Sequence, residues 1–575
     1  MSETTQPETP PTPQANSVGL VIGTRESTPL AFWVGVHEDA YLQLDDVIYL
    51  QTAHPVTGDP LRFFGIVDEV VKKFEGLNFD SDNLMVQQGI LPVSLSFLAH
   101  VTITRIDPEI FIPPHPGEAV YRASAENHDT ALCFDQMEKK LPAGLLQSGE
   151  PAFINFEFVD GSKGGHISIS GISGVATKTS YTLFLLHGIL NASSIPAATR
   201  KHSRAIIFNV KNEDLLFLDK PNKKLRPEDK QAYAKMGLPG TPFQDVAFYA
   251  PCDRATGEIV AGTKTRTTGV SAYGWTLLQI AQDNLLPFLF SDAGNPTSNL
   301  NFVVEGVSNR LWEMAREAKE GLMISREGLG VKIRSLHDLV NHLHRVLDEE
   351  EDGGYLRHWF GNNHTSTIRA FIRRLDAVVK QMARFVRPDL TESHRIDWKQ
   401  KHLTVVDINL LSAQAQMFVV GSVLKQIFEY KSETGDKNPV FIVLDELNRY
   451  APRNGWSPIK EMLLDIAERG RSMGLILLGA QQTASEVEKR VTANAAIRVN
   501  GRLDAAEAGA KEYGYLQGGF RQRSLMIRPG SMVVQQPELP TPILVHVPMP
   551  AWATRHTEWD TRTEEVQAED LFNRF

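Results

Sequence analysis

The sequence predicts an α/β protein in which a small all-β domain precedes a domain built on a parallel, doubly wound sheet. Three observations predict this architecture. Short strands separated by polar or Gly/Pro turns occupy the first hundred residues, and apolar strands later alternate with helical patterns. A strongly helical block then interrupts that alternation. At 575 residues the chain is also too long for one hydrophobic core.

The N-terminal part reads as a tail followed by strands. Residues 1–16 are rich in Pro, Thr and Gln, which predicts a disordered tail. Residues 17–110 are predicted to form a small β-barrel or sandwich; an α/β lobe with poorly marked helices is the alternative. Its predicted strands are Val18–Ile22, Ala31–Val36, Asp46–Leu50, Phe63–Val71 and Val101–Ile106.

The sheet domain is predicted in two pieces, residues 150–300 and 400–550. Between them, residues 301–399 show leucines at helical spacing, such as Leu336, Leu339 and Leu343, which predicts a helical insertion. Residues 551–575 are predicted to form a C-terminal tail. Its last part, Thr563–Phe575, either packs on an adjacent subunit or is a frayed acidic end.

Composition narrows the class of protein. A hydrophobic content of 42% and a charged content of 22% are typical of a soluble globular chain, and no apolar run approaches the ~20 residues of a membrane span. The start lacks a signal sequence, and the two cysteines have no metal-binding spacing, so we expect a cytoplasmic protein without a disulfide framework. The net charge of −10 argues against a simple basic nucleic-acid coat but does not exclude DNA.

The most informative segment is a strand that ends in two carboxylates. Five apolar residues, 440–444, suit a strand buried on both faces, and Asp445 and Glu446 follow directly. In nucleotide hydrolases the first carboxylate of such a pair holds Mg²⁺ through water, and the second orients or deprotonates the attacking water. The alternative is a core strand that ends in two solvated carboxylates.

A phosphate loop is predicted upstream, between a short β-branched strand and an apolar helix. Backbone N–H groups of such a loop bind anions, Lys178 would reach the β/γ-phosphates, and Thr179 or its neighbour Ser180 would offer a hydroxyl to Mg²⁺. The pattern G-x-x-x-x-G-K-[ST] is not matched fully, because Thr177 stands where glycine is expected and the first glycine comes one residue early. The alternative is a Ser/Gly turn before a core helix. The predicted nucleotide-binding residues are Gly171, Gly174, Val175, Ala176, Thr177, Lys178, Thr179 and Ser180.

Two further groups of polar residues lie near the acidic strand in the sequence. Gln481 ends the next predicted strand and is favoured over Gln482 as a sensor of the γ-phosphate; the alternative is an amide that caps the strand. Arg469 and Arg471 follow a helix that begins at Ser457 and Pro458. They either reach a neighbouring subunit's γ-phosphate or are ordinary cations at a helix C-terminus.

These segments together resemble one family. The N-terminal β-domain, GISGVATKTS, VFIVLDELNRYAP and ERGRSMGLILLGAQQ resemble the HerA/FtsK group of P-loop motor ATPases, and most closely HerA-like proteins with an N-terminal HAS-type β-barrel. The resemblance covers about residues 17–550. It implies a RecA-like P-loop ATPase domain that uses ATP and Mg²⁺ in a homo-hexameric ring around double-stranded DNA.

The resemblance also implies roles for individual residues. Lys178 and Thr179 would bind phosphate and Mg²⁺, Asp445 would hold the metal, and Glu446 would be the catalytic base. Gln481 would be the sensor, and Arg469 or Arg471 would act in trans. The barrel would dock an effector, either a NurA-type nuclease in DNA-end processing or a sirtuin-like NAD hydrolase or nuclease in anti-phage defence. The sequence itself offers no nuclease or NAD-hydrolase constellation.

DNA contacts and the overall function have alternatives. Lys201, Arg204 and Lys211 flank the strand after the phosphate-loop helix and are candidates for phosphate contacts in a pore. The first functional hypothesis is an ATP-driven DNA translocase or helicase. The second is a nucleotide-ordered scaffold that organises and activates an effector with little translocation. A secretion or conjugation coupling ATPase is a weaker third hypothesis.

Overall fold

The computed structural model describes residues 16–77, 79, 81–172, 178–253, 257–290, 297–316, 318, 321–326, 329–348 and 353–559. Part of the predicted phosphate loop (Gly174, Val175, Ala176 and Thr177) lies outside these residues. So do residues 1–15 of the predicted N-terminal tail and residues 560–575 of the C-terminal tail.

The strands are short, apart from one long pair near the N-terminus. They are β1 Gly19–Val21, β2 Ala31–Val36, β3 Val47–Ala53, β4 Pro60–Glu75, β5 Ser94–Asp107, β6 Ala119–Arg122, β7 Lys140–Leu145, β8 Pro151–Asn155, β9 Ile167–Ser170, β10 Arg204–Asn209, β11 Val246–Pro251, β12 Ser271–Tyr273, β13 Leu322–Arg326, β14 Leu329–Ile333, β15 Leu403–Asp407, β16 Val440–Asp445, β17 Leu475–Gln481, β18 Ile497–Asn500, β19 Ser531–Gln535 and β20 Ile543–His546.

The helices range from single turns to six turns. They are α1 Asp82–Gln87, α2 Glu126–Ala131, α3 Lys178–Asn191, α4 Ala197–His202, α5 Pro227–Lys235, α6 Leu277–Gln282, α7 Asn299–Ala315, α8 Leu336–Asp348, α9 Gly353–Phe360, α10 Thr365–Met382, α11 Ala413–Thr434, α12 Leu447–Tyr450, α13 Pro458–Arg469, α14 Lys489–Ala493, α15 Ala505–Ala508, α16 Gly519–Ser524 and α17 His556–Trp559.

The chain separates into two compact units. The first contains the chain up to Asn155 together with Tyr513–His546, and the second contains Phe156–Glu512 and the chain from Val547 onward. The first unit thus includes Tyr513–His546, a segment predicted to belong to the ATPase domain.

A closed barrel forms the N-terminal part of the first unit. Its strand order is β1-β2-β5-β4-β3-β6, and its pairs are antiparallel. Alternate residues such as Phe32, Val34 and Phe63 are fully buried inside it, as the period of two of a strand requires. The barrel alternative of the sequence analysis is therefore confirmed. The same unit holds a second antiparallel sheet, in the order β19-β20-β7-β8.

A parallel sheet forms the centre of the second unit. Its order is β12-β11-β15-β10-β16-β17-β9-β18, and each of these neighbouring pairs is parallel. The long apolar strands β16 and β17 lie in its interior and are buried along their whole length. The predicted α/β class, with a parallel-sheet domain after a small barrel, is confirmed.

Helices α7 to α10 lie between β12 and β15 in the chain, where the sequence predicts the insertion. They carry the hairpin β13–β14 among them, and their apolar faces join the core that also contains α11 and α13. Among the described residues, no helix combines the length and the apolar composition that crossing a bilayer needs.

Candidate nucleotide-binding site

The site begins where β9 turns towards α3. Gly171 follows β9 with φ of +149°, and a Cβ at this position would stand 3.2 Å from the carbonyl oxygen of Arg502. Only glycine adopts this backbone easily at so close an approach. After residues 173–177, which lie outside the described part, the chain continues at Lys178, the first residue of α3. A strand therefore precedes the predicted phosphate loop and a helix follows it, as predicted.

The C-terminal end of β16 places Asp445 next to α3. Val443, two residues earlier on the same face of β16, lines one cavity with Leu183 of α3. Asp445 shares that face, and its Oδ2 accepts a hydrogen bond from Thr179 Oγ1 at 3.0 Å. Two residues that are 266 positions apart in the sequence therefore meet as predicted.

Lys211 contacts the same carboxylate oxygen. Its Nζ lies 2.8 Å from Asp445 Oδ2. Strand β10 pairs in parallel with β16, with Phe208 beside Leu444, so a residue just past the end of β10 lies at the edge where Asp445 lies. The sequence analysis proposed Lys211 as a DNA contact, and the structure places it in this site.

Lys178 is almost completely buried, with 4% of its surface exposed. Burial lowers the pKa of its ammonium from 10.5 to about 8. The carboxylates of Asp445 and Glu446 act in the opposite direction, and the positive charge of Lys211 lowers the pKa further. The site therefore keeps a lysine at a considerable electrostatic cost.

Asp445 and Thr179 offer oxygen ligands that fit Mg²⁺. Among the described residues, no group of three or more His, Cys, Asp or Glu side chains forms a metal cluster. Mg²⁺ needs no such cluster, because it is commonly held by one or two protein oxygens, waters and substrate phosphates. A carboxylate and a hydroxyl beside the start of α3 match that requirement.

Glu446 is held in an unusual backbone conformation. It has φ of 58°, in the left-handed region that a residue with a Cβ rarely adopts, and its N–H donates to Asp445 Oδ1 at 3.0 Å. Its carboxylate pairs with Arg449 at 3.3 Å. Backbone strain of this kind is often found at functional sites, and it turns Glu446 away from the direction of the strand.

Gln481 lies on the opposite face of the sheet from Asp445. Asp445 is in register with Ala480, so the next side chain on β17 points to the other side. Gln481 is fully buried, its Nε2 donates to Ser168 Oγ at 2.8 Å, and its Oε1 has no hydrogen-bond partner among the described residues. A sensor role would require this side chain to rotate, and it stays a prediction.

The two arginines lie at the other edge of the sheet. Arg469 and Arg471 precede β17, which runs about 20 Å from Leu475 to Gln481. They cannot reach the phosphate site of their own subunit. Arg469 is exposed and pairs with Asp465 at 2.8 Å, whereas Arg471 donates to the carbonyl oxygens of residues 161 and 162. Their action in trans stays a prediction.

The remaining DNA candidates are not grouped with Lys211. Lys201 lies in the last turn of α4, and Arg204 begins β10 at the edge of the sheet opposite to Asp445. The guanidinium of Arg204 donates to the carbonyl oxygens of Lys201, Ser203 and Lys399, so it supports the chain locally.

Residues that sequence reasoning missed complete the cavity beside Lys178. The cavity measures about 290 Å³, and Asp214 and Arg555 line it together with the predicted residue Ser180. Trp552 is fully buried and stacks on His187 of α3 at 5.1 Å, which anchors the C-terminal segment that carries Arg555. Nothing in the sequence around Arg555 indicates this role, because the contact spans most of the chain.

Neither a protein-family model nor a curated protein matches the sequence. Among solved structures, the bacterial conjugative coupling protein TrwB in a trigonal form with sulphate has 13% identity and a TM-score of 0.47, covering 74% of this chain and 94% of that one. TrwB in complex with ADP and Mg²⁺ has 12% identity and the same TM-score and coverage. VirB4 of Thermoanaerobacter pseudethanolicus has 12% identity and a TM-score of 0.43, covering 73% of this chain and 98% of that one. These TM-scores lie below 0.5, so the likeness adds no argument about what this chain does, and its fold class rests on its own strand order.

Proposed function

We propose that this protein is an ATP-hydrolysing, ring-forming DNA translocase or helicase of the HerA type that acts with a partner effector. The observation that carries the proposal is the meeting of Lys178, Thr179 and Asp445 at the carboxyl edge of the parallel sheet. A phosphate cation, a metal hydroxyl and a metal carboxylate are the protein groups that a magnesium–nucleotide site requires.

Each residue of the site has a defined task in this proposal. Lys178 neutralises the β- and γ-phosphates, and Thr179 and Asp445 hold Mg²⁺, which supplies charge stabilisation to the transferring phosphoryl group when bound. Glu446 accepts a proton from the attacking water. Arg449, which pairs with the Glu446 carboxylate, keeps that carboxylate in place until water arrives.

The location of Arg469 and Arg471 supports a ring. Both lie too far from the phosphate site of their own chain, so either of them could assist hydrolysis only at the site of a neighbouring chain. The proposed assembly is a homo-hexamer around double-stranded DNA, with nucleotide at the subunit interfaces.

The first unit supports partner docking with an exposed apolar hairpin. The outer halves of β4 and β5 and the connection between them expose Phe74, Phe79, Leu84 and Ile90. Exposed apolar side chains concentrated on one projection are a mark of protein interaction sites. We propose this hairpin as the docking surface for a nuclease or sirtuin-like effector.

The double variant Phe79→Ser/Leu84→Ser tests this surface. It should abolish co-purification of the neighbouring gene's product while nucleotide binding is retained.

A nucleotide-ordered scaffold is the second candidate. Thr177 at a glycine position of the phosphate-loop pattern favours it, because a β-branched residue resists the backbone that glycine provides. In that case Lys178→Ala should reduce assembly or effector activation even where DNA movement is undetectable.

Hydrolysis by the Glu446→Gln variant tests the proposed function. An amide cannot accept the proton of the attacking water, so the variant should bind ATP as the wild type does and lose hydrolysis by about 10²-fold or more. The matched control is Glu468→Gln, an exposed residue of α13. Wild-type turnover in Glu446→Gln would remove Glu446 from the mechanism, and no ATP uptake by the wild type would end the proposal.

A further inference from the structure

Helix α10 of the insertion has two faces of different chemistry. Its apolar face buries Ile368, Phe371, Leu375 and other residues in the core of the second unit. On the opposite side Arg369, Arg373 and Lys380 follow one another at spacings of four and seven residues, and all three are exposed. Such spacings place side chains in one row along a helix, so these residues form a stripe about 16 Å long. We call it the α10 stripe.

The α10 stripe is basic in an acidic protein. Residues 365–387 contain six basic residues and one acidic residue, although the whole chain has a net charge of −10. Within the described part of the chain, Arg369, Arg373 and Lys380 make no ion pair, whereas many other surface cations do. Cations kept unpaired on one face attract polyanions more strongly than cations that are already neutralised.

The basic surface continues past the end of the helix. Lys380, Arg384 and Arg387 together line a cavity of about 580 Å³. Arg384 Nε donates to the carbonyl oxygen of Cys252, and Arg387 pairs with Asp389 at 2.9 Å, so these two are fixed in place. Ser412, which caps the N-terminus of α11, also lines the cavity.

The composition of the stripe favours a nucleic-acid backbone over a protein. Protein interfaces are centred on aromatic and large apolar side chains, and no exposed large apolar residue occurs on α10. Ala377 is exposed between Arg373 and Lys380, Ser366 is exposed one turn before Arg369, and the half-buried Asp376 is the one carboxylate of the helix. Lysine and arginine side chains that touch phosphates need no more than this.

We propose that the α10 stripe binds the phosphate backbone of double-stranded DNA without reading its bases. The proposal rests on the DNA-motor function proposed above and names the surface that holds the DNA. A stripe of about 16 Å spans roughly half of one turn of duplex, whose repeat is about 34 Å. The three cations follow one another at rises of about 6 and 10.5 Å along the helix, so each can contact a separate phosphate of the backbone.

The test is DNA binding by the full-length variant Arg369→Ala/Arg373→Ala/Lys380→Ala, measured on a fluorescent duplex without nucleotide at several salt concentrations. Each phosphate contact contributes about 0.9 to the slope of log affinity against log salt, so the slope should fall by about 2.7. The ratio of wild-type to variant affinity should therefore change about 40-fold between 50 and 200 mM salt. Replacing both arginines by lysine should restore most of the binding, because a phosphate accepts either cation.

The matched control is Lys230→Ala/Lys437→Ala/Lys489→Ala, which removes the same charge from exposed positions on other elements. It should bind DNA nearly as the wild type does, and ATP binding should be unchanged in both variants. Equal DNA binding by wild type and stripe variant would overturn the inference and leave the motor proposal standing. Equal losses in stripe variant and control would overturn it as well, and no DNA binding by the wild type would overturn both proposals.

Discussion

Replacing Lys178 by methionine should make the nucleotide-free protein more stable while it removes nucleotide binding. Lys178 has a pKa of about 8 in the folded protein against 10.5 for an ordinary lysine, because burial opposes its charge. At 1.36 kcal/mol per pKa unit, the charged side chain costs about 3 kcal/mol of folding free energy at neutral pH. Methionine has a similar length, carries no charge and packs adaptably, so it avoids this cost.

The pH dependence of this gain has a definite sign. Between pH 8 and pH 10.5 the unfolded state holds the Lys178 proton and the folded state does not, so the stability of the wild type rises with pH in this window. Below about pH 8 the penalty is fully present. The advantage of Lys178→Met should therefore be largest at pH 7, at most about 3 kcal/mol, and should shrink towards zero near pH 10.

Urea unfolding of wild type and Lys178→Met at pH 7, 8, 9 and 10, without nucleotide, checks this expectation. Groups distant from Lys178 titrate equally in both proteins and cancel in the difference between them. Lys211→Met is the matched control, because Lys211 is half exposed and its removal should give no comparable gain. A variant that is no more stable than the wild type at pH 7, or a difference that does not depend on pH, would refute the electrostatic account of Lys178.

Three further predictions concern the same site and its proposed neighbour. Thr179→Ala should weaken Mg²⁺-dependent ATP binding about tenfold and leave Mg²⁺-free binding nearly unchanged in calorimetry, because the lost hydroxyl is a metal ligand. Lys211→Ala should lower the Mg²⁺ concentration that half-saturates ATP binding, since no ammonium then competes for Asp445. Arg469→Ala should leave the melting temperature within about 2 °C of the wild type, whereas Arg471→Ala should lower it by removing hydrogen bonds to backbone carbonyls. Replacing the arginine that acts in trans should also lower ATP turnover without changing ATP affinity. Unchanged turnover in both variants would remove these two arginines from the mechanism.

Elements with a strong local pattern could be predicted from the sequence. The continuous apolar run before Asp445 predicts a buried parallel strand because such strands are covered on both faces, and β16 spans Val440–Asp445. The barrel was predictable as short alternating strands, although only strand pairing distinguishes a closed barrel from a sandwich. The return of residues 531–546 to the first unit was not predictable, because the pairing of distant strands leaves no trace in local periodicity.

The residues of the candidate site likewise fall into those that a local motif indicates and those that only the tertiary structure brings together. Lys178, Thr179 and Asp445 could be found because each belongs to a short motif with its own chemistry. Lys211 was assigned to DNA because a lysine after a strand carries no local sign of its partner; only the order β10-β16 brings it to Asp445. Arg555 reaches the cavity through tertiary packing of Trp552, which no motif records.

Lys211 also bears on how the site responds to nucleotide. Asp445 Oδ2 accepts hydrogen bonds from Thr179 and Lys211 at once, so an ammonium neutralises the carboxylate that would hold Mg²⁺ in the proposed function. A metal ion held by Asp445 would displace Lys211 from this carboxylate. Because Lys211 also lowers the pKa of Lys178, that displacement would allow Lys178 to hold its proton more firmly. In the proposed function the two lysines are therefore coupled, and nucleotide binding would relieve the cost of burying Lys178.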